Sequence, residues 1–286
     1  MSAKLATVFT HRRPDETHGA LTELVRLARA EGWTLCFTPE ETRKHALAPG
    51  DGLVLDAPVP RDADLCIALG GDGTILHGLR AYAGAGVPVF GVNYGEVGFL
   101  ATVDPDGVTA GLERALRGEF DVLSLPGIEV SAGDETWLAM NDVSFHRQQG
   151  LRVANLAFDV ADEEVGRVRC DGLVIATPAG STGYNLANGG PVMAWGVEGL
   201  AVSFIAPHSL TARALVVAPQ DAIAVRNRSR EEPVDVSVDG RPICELPPDG
   251  RVSARFRDGV GTLAQTPGAS FYHRLREKFG RLASTA

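Results

Sequence analysis

Three stretches of this chain carry side chains and turns that an apolar core has no use for. The first is Ala68–Gly78, "ALGGDGTILHG", which ends a strand-like run and opens a helix-like one. Backbone N–H groups of Gly70, Gly71, Gly73 and Thr74 at such a junction suit a phosphate. Asp72 in the middle of the turn does not suit one. Three readings compete: a tight turn in which Asp72 bonds nearby amides, a dinucleotide fingerprint, and a phosphoryl-transfer site. The second lacks the G-x-G-x-x-G spacing, and the G-x-x-x-x-G-K-[ST] pattern of a P-loop is absent as well. In the third, backbone amides hold phosphate while the acid faces a hydroxyl and accepts its proton, a role worth roughly 10²–10⁴-fold in rate. The acid then addresses the acceptor, not the donor phosphate.

The second stretch is "MNDVSFHR", in which Asn141 and Asp142 interrupt a strand-like apolar pattern. The third, Arg169–Val192, reads "RCDGLVIATPAGSTGYNLANGGPV": an Asp-Gly pair, a short apolar strand, then Gly, Ser, Thr and Asn around Tyr184. An ordinary surface loop is one reading of its second half. A flat nucleoside is the other, with backbone groups for base edges and side chains for hydroxyls. His77, His146 and His208 have no ligand-like spacing, and "AGSTG" lacks the G-x-S-x-G pattern of a hydrolase nucleophile.

The elements that must position these stretches change character along the chain. Up to about Gly118, strand and helix signals alternate: "LATVF", a helical stripe at Leu21, Leu24, Val25 and Ala28, "LCIAL", a stripe at Ile75, Leu76, Leu79 and Ala83, "VPVFGV", and a stripe at Val108, Leu112 and Leu116. That order implies crossover connections and a parallel sheet. After it come short β-branched runs split by Gly, Pro, Asp or Asn, among them "TWLAMNDVSFH", "LRVANLAFDV", "GLVIAT", "LAVSFIA" and "VDVSV", which suggest layered antiparallel sheets. The acidic run Asp162–Glu164 fits a hairpin turn, and Phe271, Leu275 and Phe279 return to helical spacing. The expected division is an α/β domain over 1–118, a β-rich domain over 119–267, and a C-terminal helix over 268–286 packing back on the first domain.

With 27 basic and 36 acidic residues among 286, the net charge of −9 argues against broad binding to nucleic acid or anionic membrane. Cys36, Cys66, Cys170 and Cys244 form no CxxC pair, so neither a zinc site nor a disulfide framework is expected, and no residue is assigned to a metal. "MSAKLATVFTHRR" has no apolar signal region and no run approaches ~20 apolar residues, which makes the cytoplasm the expected location.

Taken in order and with their gaps, "GGDGT", "NYGEVGFLAT", "ND", "DGLVIATPAGSTGYNLANGGP" and "PHSLTARALVV" resemble the NAD kinases, over roughly residues 60–245. The first motif alone is shared with diacylglycerol and sphingosine kinases and, in variant form, with phosphofructokinases. The long fourth block gives the resemblance its specificity. It implies a Rossmann-like N-terminal α/β domain, a C-terminal layered β domain, and an NAD site between them. The implied reaction moves the terminal phosphoryl group of ATP, with polyphosphate as another donor, to the 2′-hydroxyl of the adenosine ribose of NAD. A divalent cation, Mg²⁺, is implied as arriving with ATP, and a homodimer or homotetramer as the assembly. Another kinase built on the same turn, for a lipid or sugar hydroxyl, and a non-catalytic NAD(P)-binding sensor are the alternatives.

At matching positions the resemblance implies that Asp72 accepts the proton, with Gly73 lining the same pocket, and that Asn141 and Asp142 hold ribose hydroxyls. Arg152 falls near the diphosphate, and Arg169 and Asp171 match a nucleotide-contacting pair, Asp171 facing the carboxamide of nicotinamide. Ala179 and the run Thr182, Gly183, Tyr184, Asn185, Leu186, Ala187 match the segment around adenine and ribose, and Arg241 falls where many members carry Gln. The chain departs from the pattern in Asp142 for the usual Glu, Gly183 for Ala, and Ala214 for Pro. The first shortens the side chain by ~1.5 Å, enough to break a hydrogen bond unless the backbone shifts.

Overall fold

The computed structural model describes residues 4–96 and 98–283. The chain forms two compact units, residues 1–124 with 261–286, and residues 125–260.

In the first unit, β1 (Lys4–Thr10), β2 (Trp33–Cys36), β3 (Leu53–Val54), β4 (Leu65–Gly70) and β5 (Val89–Asn93) pair in parallel, in the order β5-β4-β1-β2-β3. Between them run α1 (Pro14–Ala30), α2 (Pro39–Lys44) and α3 (Asp72–Ala81), and α4 (Val108–Arg117) follows β5. The helix α1 starts at a proline with Asp15 and Glu16 in its first turn and carries Arg29 in its last, each charge complementing the helix dipole. Leu21, Leu24 and Ala28 meet Leu112, Ala115 and Leu116 of α4 over Val8, Leu35, Ile67 and Leu69 of the sheet. Successive strand side chains alternate faces. Cys66 and Val89 accordingly meet α3, where a Cβ on Gly78 would lie 3.0 and 3.1 Å from them. This is the reason a glycine stands there. The helical stripe ends sooner than the sequence suggests: Tyr82 caps α3, and Ala83 lies beyond it. The strands β2 and β3 are too short to stand out by periodicity.

The second unit contains β6 (Asp121–Ala132, from Leu125 on), β7 (Glu135–Ala139), β8 (Asp142–Arg147), β9 (Ala154–Val160), β10 (Glu163–Cys170), β11 (Gly172–Ala176), α5 (Tyr184–Ala187), β12 (Leu200–Ile205), β13 (Leu215–Val217), β14 (Ile223–Asn227), β15 (Val234–Val238) and β16 (Arg241–Leu246). Residues 251–260 of β17 (Arg251–Gln265) complete it, and β17 ends in the first unit, followed there by α6 (Phe271–Ala283). One antiparallel sheet runs β13-β12-β11-β8-β15-β16. A second antiparallel arrangement runs β10-β9-β14-β17. Both send side chains into one core, for example Val143, Phe145, Leu173 and Ile175 from the first and Leu156, Phe158, Val225 and Val252 from the second. On β8 the alternate residues Ser144 and His146 lie outside this core, a period-two pattern.

The run "TWLAMNDVSFH" is not one strand: pairing stops after Ala139 and resumes at Asp142. The cause is a carboxylate from far along the chain. Asp239 accepts the N–H groups of Met140, Asn141 and Asp142 at 3.1, 2.7 and 3.2 Å, and so removes them from any strand ladder. Asp162 sits at a positive φ of 65° in the β9–β10 hairpin.

Candidate active site

The glycine turn of the first unit is assembled by close backbone approach. Gly70 closes β4, and a Cβ there would lie 2.2 Å from Thr74 Oγ1. A Cβ on Gly71 would lie 3.1 Å from Gly95 Cα, so the turn and the loop after β5 touch through bare backbone. Tyr94 N–H donates to the Gly70 carbonyl at 3.1 Å and fixes that contact. Asp72 is the first residue of α3, and Gly73 beside it is exposed with open space around its Cα. The half-buried Asp72 carboxylate accepts the Leu100 N–H on Oδ1 at 2.8 Å and the Phe99 N–H on Oδ2 at 3.0 Å. A carboxylate has about four lone-pair sites, so two such bonds orient it and leave acceptor capacity for a hydroxyl. At the C-terminal ends of β1 and β5 a cavity of about 710 Å³ is lined by Arg12, Arg13, Asn93, Tyr94 and Gly95 among others. His11 N–H donates to the Leu69 carbonyl at 2.7 Å, which brings the basic segment alongside the end of β4.

In the second unit the β8–β11 ladder sets two groups of candidate residues apart. At one end, Asp142 pairs with Ala176, and the chain continues into the segment 177–187. Thr177 N–H donates to the Asn141 carbonyl at 2.8 Å and Thr177 Oγ to that of Met140 at 2.8 Å. A Cβ on Gly180 would lie 2.1 Å from the Asn141 carbonyl oxygen, so only glycine allows this approach. Buried Ala179, the turn Gly180–Thr182, and α5 thereby gather beside Asn141 and Asp142. Asp239 N–H donates to the Asp142 carbonyl at 2.9 Å, and Arg241, exposed, opens β16 two residues later at the same end.

The electrostatics at this end are unusual. Asp142 is buried, and burial, with the Asp239 charge added, pushes its carboxyl up to about 7. Asn141 Oδ1 is buried with no hydrogen-bond partner, an acceptor waiting for a donor. Tyr184 is exposed, and its ring reaches along the ladder toward the opposite end to stack on His146, ring centroids 5.5 Å apart and planes 12° apart. Burial raises its phenol, and the Asp142 charge adds to this. Burial lowers His146, opposed by the charge of Asp235.

Asn185 behaves differently from its neighbours. Its side chain is fully buried, and its amide donates to the carbonyls of Ser181 and Pro191, both at 2.9 Å. It ties the segment to itself, while Thr182, Gly183, Tyr184, Leu186 and Ala187 stay at least partly accessible.

At the other end of the ladder His146 pairs with Gly172, and Arg147 Nε donates to Asp171 Oδ1 at 2.5 Å. Arg147 thus braces the Asp171 carboxylate in an ion pair. Arg169 is exposed on β10, and its carbonyl accepts the His208 N–H at 2.7 Å. Arg152 is exposed, with its Nε 4.0 Å from Glu232 Oε1. Four residue steps separate the two paired ends, roughly 13 Å at the usual rise. Asp239, Arg147 and His146, which contact candidate residues, are not among those the sequence singled out for the site. For Asp239 the Asp-Gly turn was a signal that a polar side chain stands at this spot, but not what it would grip.

Among the described residues no group of three or more His, Cys, Asp or Glu side chains is arranged to hold a metal ion. Also among them, no helix is long and apolar enough to cross a membrane.

Residues 39–120 match the family model described as ATP-NAD kinase N-terminal domain, and residues 140–259 that described as ATP-NAD kinase C-terminal domain. The NAD kinase of Gemmatimonas aurantiaca is 34% identical over 96% of this chain and 94% of its own length. That of Methanothermobacter thermautotrophicus is 35% identical over 76% of each chain. Among solved structures, yeast NADH kinase complexed with NADH superposes with a TM-score of 0.85 at 22% identity, covering 99% of this chain and 89% of that one, a likeness of fold. An NAD kinase from Archaeoglobus fulgidus in complex with ATP superposes with a TM-score of 0.74 at 26% identity, covering 99% and 100%. With relatives this similar over nearly its whole length, the chain belongs to the NAD kinase family.

Proposed function

We propose that the protein transfers the terminal phosphoryl group of ATP to the 2′-hydroxyl of the adenosine ribose of NAD, giving NADP. The observation that carries this reading is Asp72: a carboxylate at a strand-to-helix glycine turn, oriented by two backbone N–H groups. It serves as the proton acceptor as the hydroxyl attacks phosphorus, and in-line placement of the reactants supplies much of the remaining acceleration.

Unpartnered Asn141 Oδ1 and the Asp142 carboxyl take the ribose hydroxyls. Ala179 and the accessible members of 182–187 border adenine, with the Tyr184 ring as its packing surface. Asp171, braced by Arg147, receives the nicotinamide carboxamide. Arg152, Arg169 and Arg241, all exposed, supply charge for phosphate oxygens. Gly70, Gly71, Gly73 and Thr74, with Arg12 of the neighbouring cavity, receive the donor phosphates. Mg²⁺ enters as part of the ATP complex, as substrate. The protein works as a homodimer or homotetramer in the cytoplasm.

Incubation with NAD, ATP and Mg²⁺ tests the reading, with NADP as the expected product. Failure to phosphorylate NAD or NADH with either ATP or polyphosphate overturns it.

A further inference from the structure

Two elements of the first unit hold the same short loop through its backbone. From one element, the Asp72 carboxylate takes the N–H groups of Phe99 and Leu100. From the other, the Arg274 guanidinium of α6 donates to the carbonyls of Phe99, at 2.9 Å, and Ala101, and also to Gln265 Oε1. Phe99 therefore donates its N–H to the Asp72 carboxylate and accepts on its C=O from the Arg274 guanidinium. The ring of Phe279, also on α6, packs against that of Phe99 with centroids 5.5 Å apart, a second hold on the same residue. Burial pulls the Arg274 guanidinium below its ordinary value, and the charges of Asp72, Asp104 and Glu277 oppose this. A partly buried arginine spent on backbone carbonyls costs desolvation that a plain helix contact avoids.

We propose that Arg274 is a positioning residue for phosphoryl transfer. By fixing the carbonyls of Phe99 and Ala101 it sets the Phe99 and Leu100 N–H groups that aim the Asp72 carboxylate. The inference rests on the reading of Asp72 as proton acceptor. Its physical basis is the steep dependence of such a step on geometry, where a displacement of about 1 Å costs roughly 10²-fold. The C-terminal helix, with Arg274 about two hundred residues from the glycine turn in sequence, thus tunes the acid without touching substrate.

The test uses Arg274→Ala and Arg274→Lys in the full chain, each with and without Asp72→Asn. Arg274→Ala is expected to lower kcat by about 10–100-fold while leaving KM for NAD and for ATP within about threefold. Arg274→Lys, which keeps a donor and the charge, recovers part of kcat. The side chain lines a cavity of about 370 Å³ with Gly98, Ala101 and Ser270, so added methylguanidinium has room to enter and restore part of the rate to Arg274→Ala. In the Asp72→Asn background Arg274→Ala costs no further rate, because the group it positions is gone. Amide exchange at residues 98–101 quickens in Arg274→Ala, with β4 protected as before. The proposal is overturned by a kcat within twofold of the parent, by fully additive losses, or by a KM increase that accounts for the lost kcat/KM. If Arg274→Ala does not fold, Arg274→Lys carries the same comparisons. Absence of NADP formation by the parent counts against the function itself, and unchanged exchange at 98–101 counts against Arg274 alone.

Discussion

Asp142 and Asp239 are joined by two hydrogen bonds, one to the Asp239 carboxylate and one between the main chains. The Asp142 N–H donates to Asp239 Oδ1 at 3.2 Å, and the Asp239 N–H donates to the Asp142 carbonyl at 2.9 Å. The two carboxylates are therefore neighbours by construction. The one that is buried is held at about 7, far above the ordinary 3.8.

This has a consequence for stability. Between about pH 4 and 7 the folded chain keeps the Asp142 proton while the unfolded chain releases it. The folded state then binds more protons, so this contribution is complete below the unfolded value and is lost as pH rises through the folded one. Asp142→Asn should abolish the loss and gain on the parent, by a few kcal/mol at most, between pH 4 and pH 8. Urea unfolding of both proteins at several pH values reads the difference; parallel curves would contradict it.

Asp239→Ala strips three backbone N–H groups of their acceptor at once. An unsatisfied buried donor costs about 1–3 kcal/mol, so a destabilisation on the order of 2–4 kcal/mol is expected. Asp239→Asn should lose less, because an amide oxygen still accepts and Asn tolerates the positive φ of 47°. The loosened Asn141 and Asp142 should also raise KM for NAD in both variants. Thermal melts together with steady-state kinetics separate the two effects.

Asp72→Asn keeps the size of the side chain and one acceptor for the loop N–H groups, but loses the base. Turnover should fall by about 10²–10⁴-fold, with NAD affinity little altered. Equal turnover in a stopped NADP assay would remove Asp72 from the chemistry.

Tyr184→Ala deletes the ring that stacks on His146. An aromatic contact is worth roughly 0.5–1.5 kcal/mol beyond its area, so KM for NAD should rise up to about tenfold with kcat nearly kept. Tyr184→Phe should match the parent, since the face of the ring and not its hydroxyl makes the contact. Titration of NAD against the three proteins decides this.

Local pattern alone determined much of this protein. Leu65–Leu69, the glycine turn and the stripe Ile75, Leu76, Leu79 are contiguous, and their period and punctuation follow from strand and helix geometry. The alternation of Val143 and Phe145 with Ser144 and His146 likewise announces a strand. The order of the polar motifs was enough to indicate the family. What the tertiary structure decided are the pairings whose partners lie far apart in sequence. Asp239 breaks a strand pattern almost a hundred residues earlier; Arg147 pairs with Asp171; Asn185, in the middle of a segment expected to meet ligand, turns inward as a clamp; Arg274 reaches the loop that orients Asp72. A hydrogen bond is read from distance and direction, and sequence spacing supplies neither once the chain has turned back on itself.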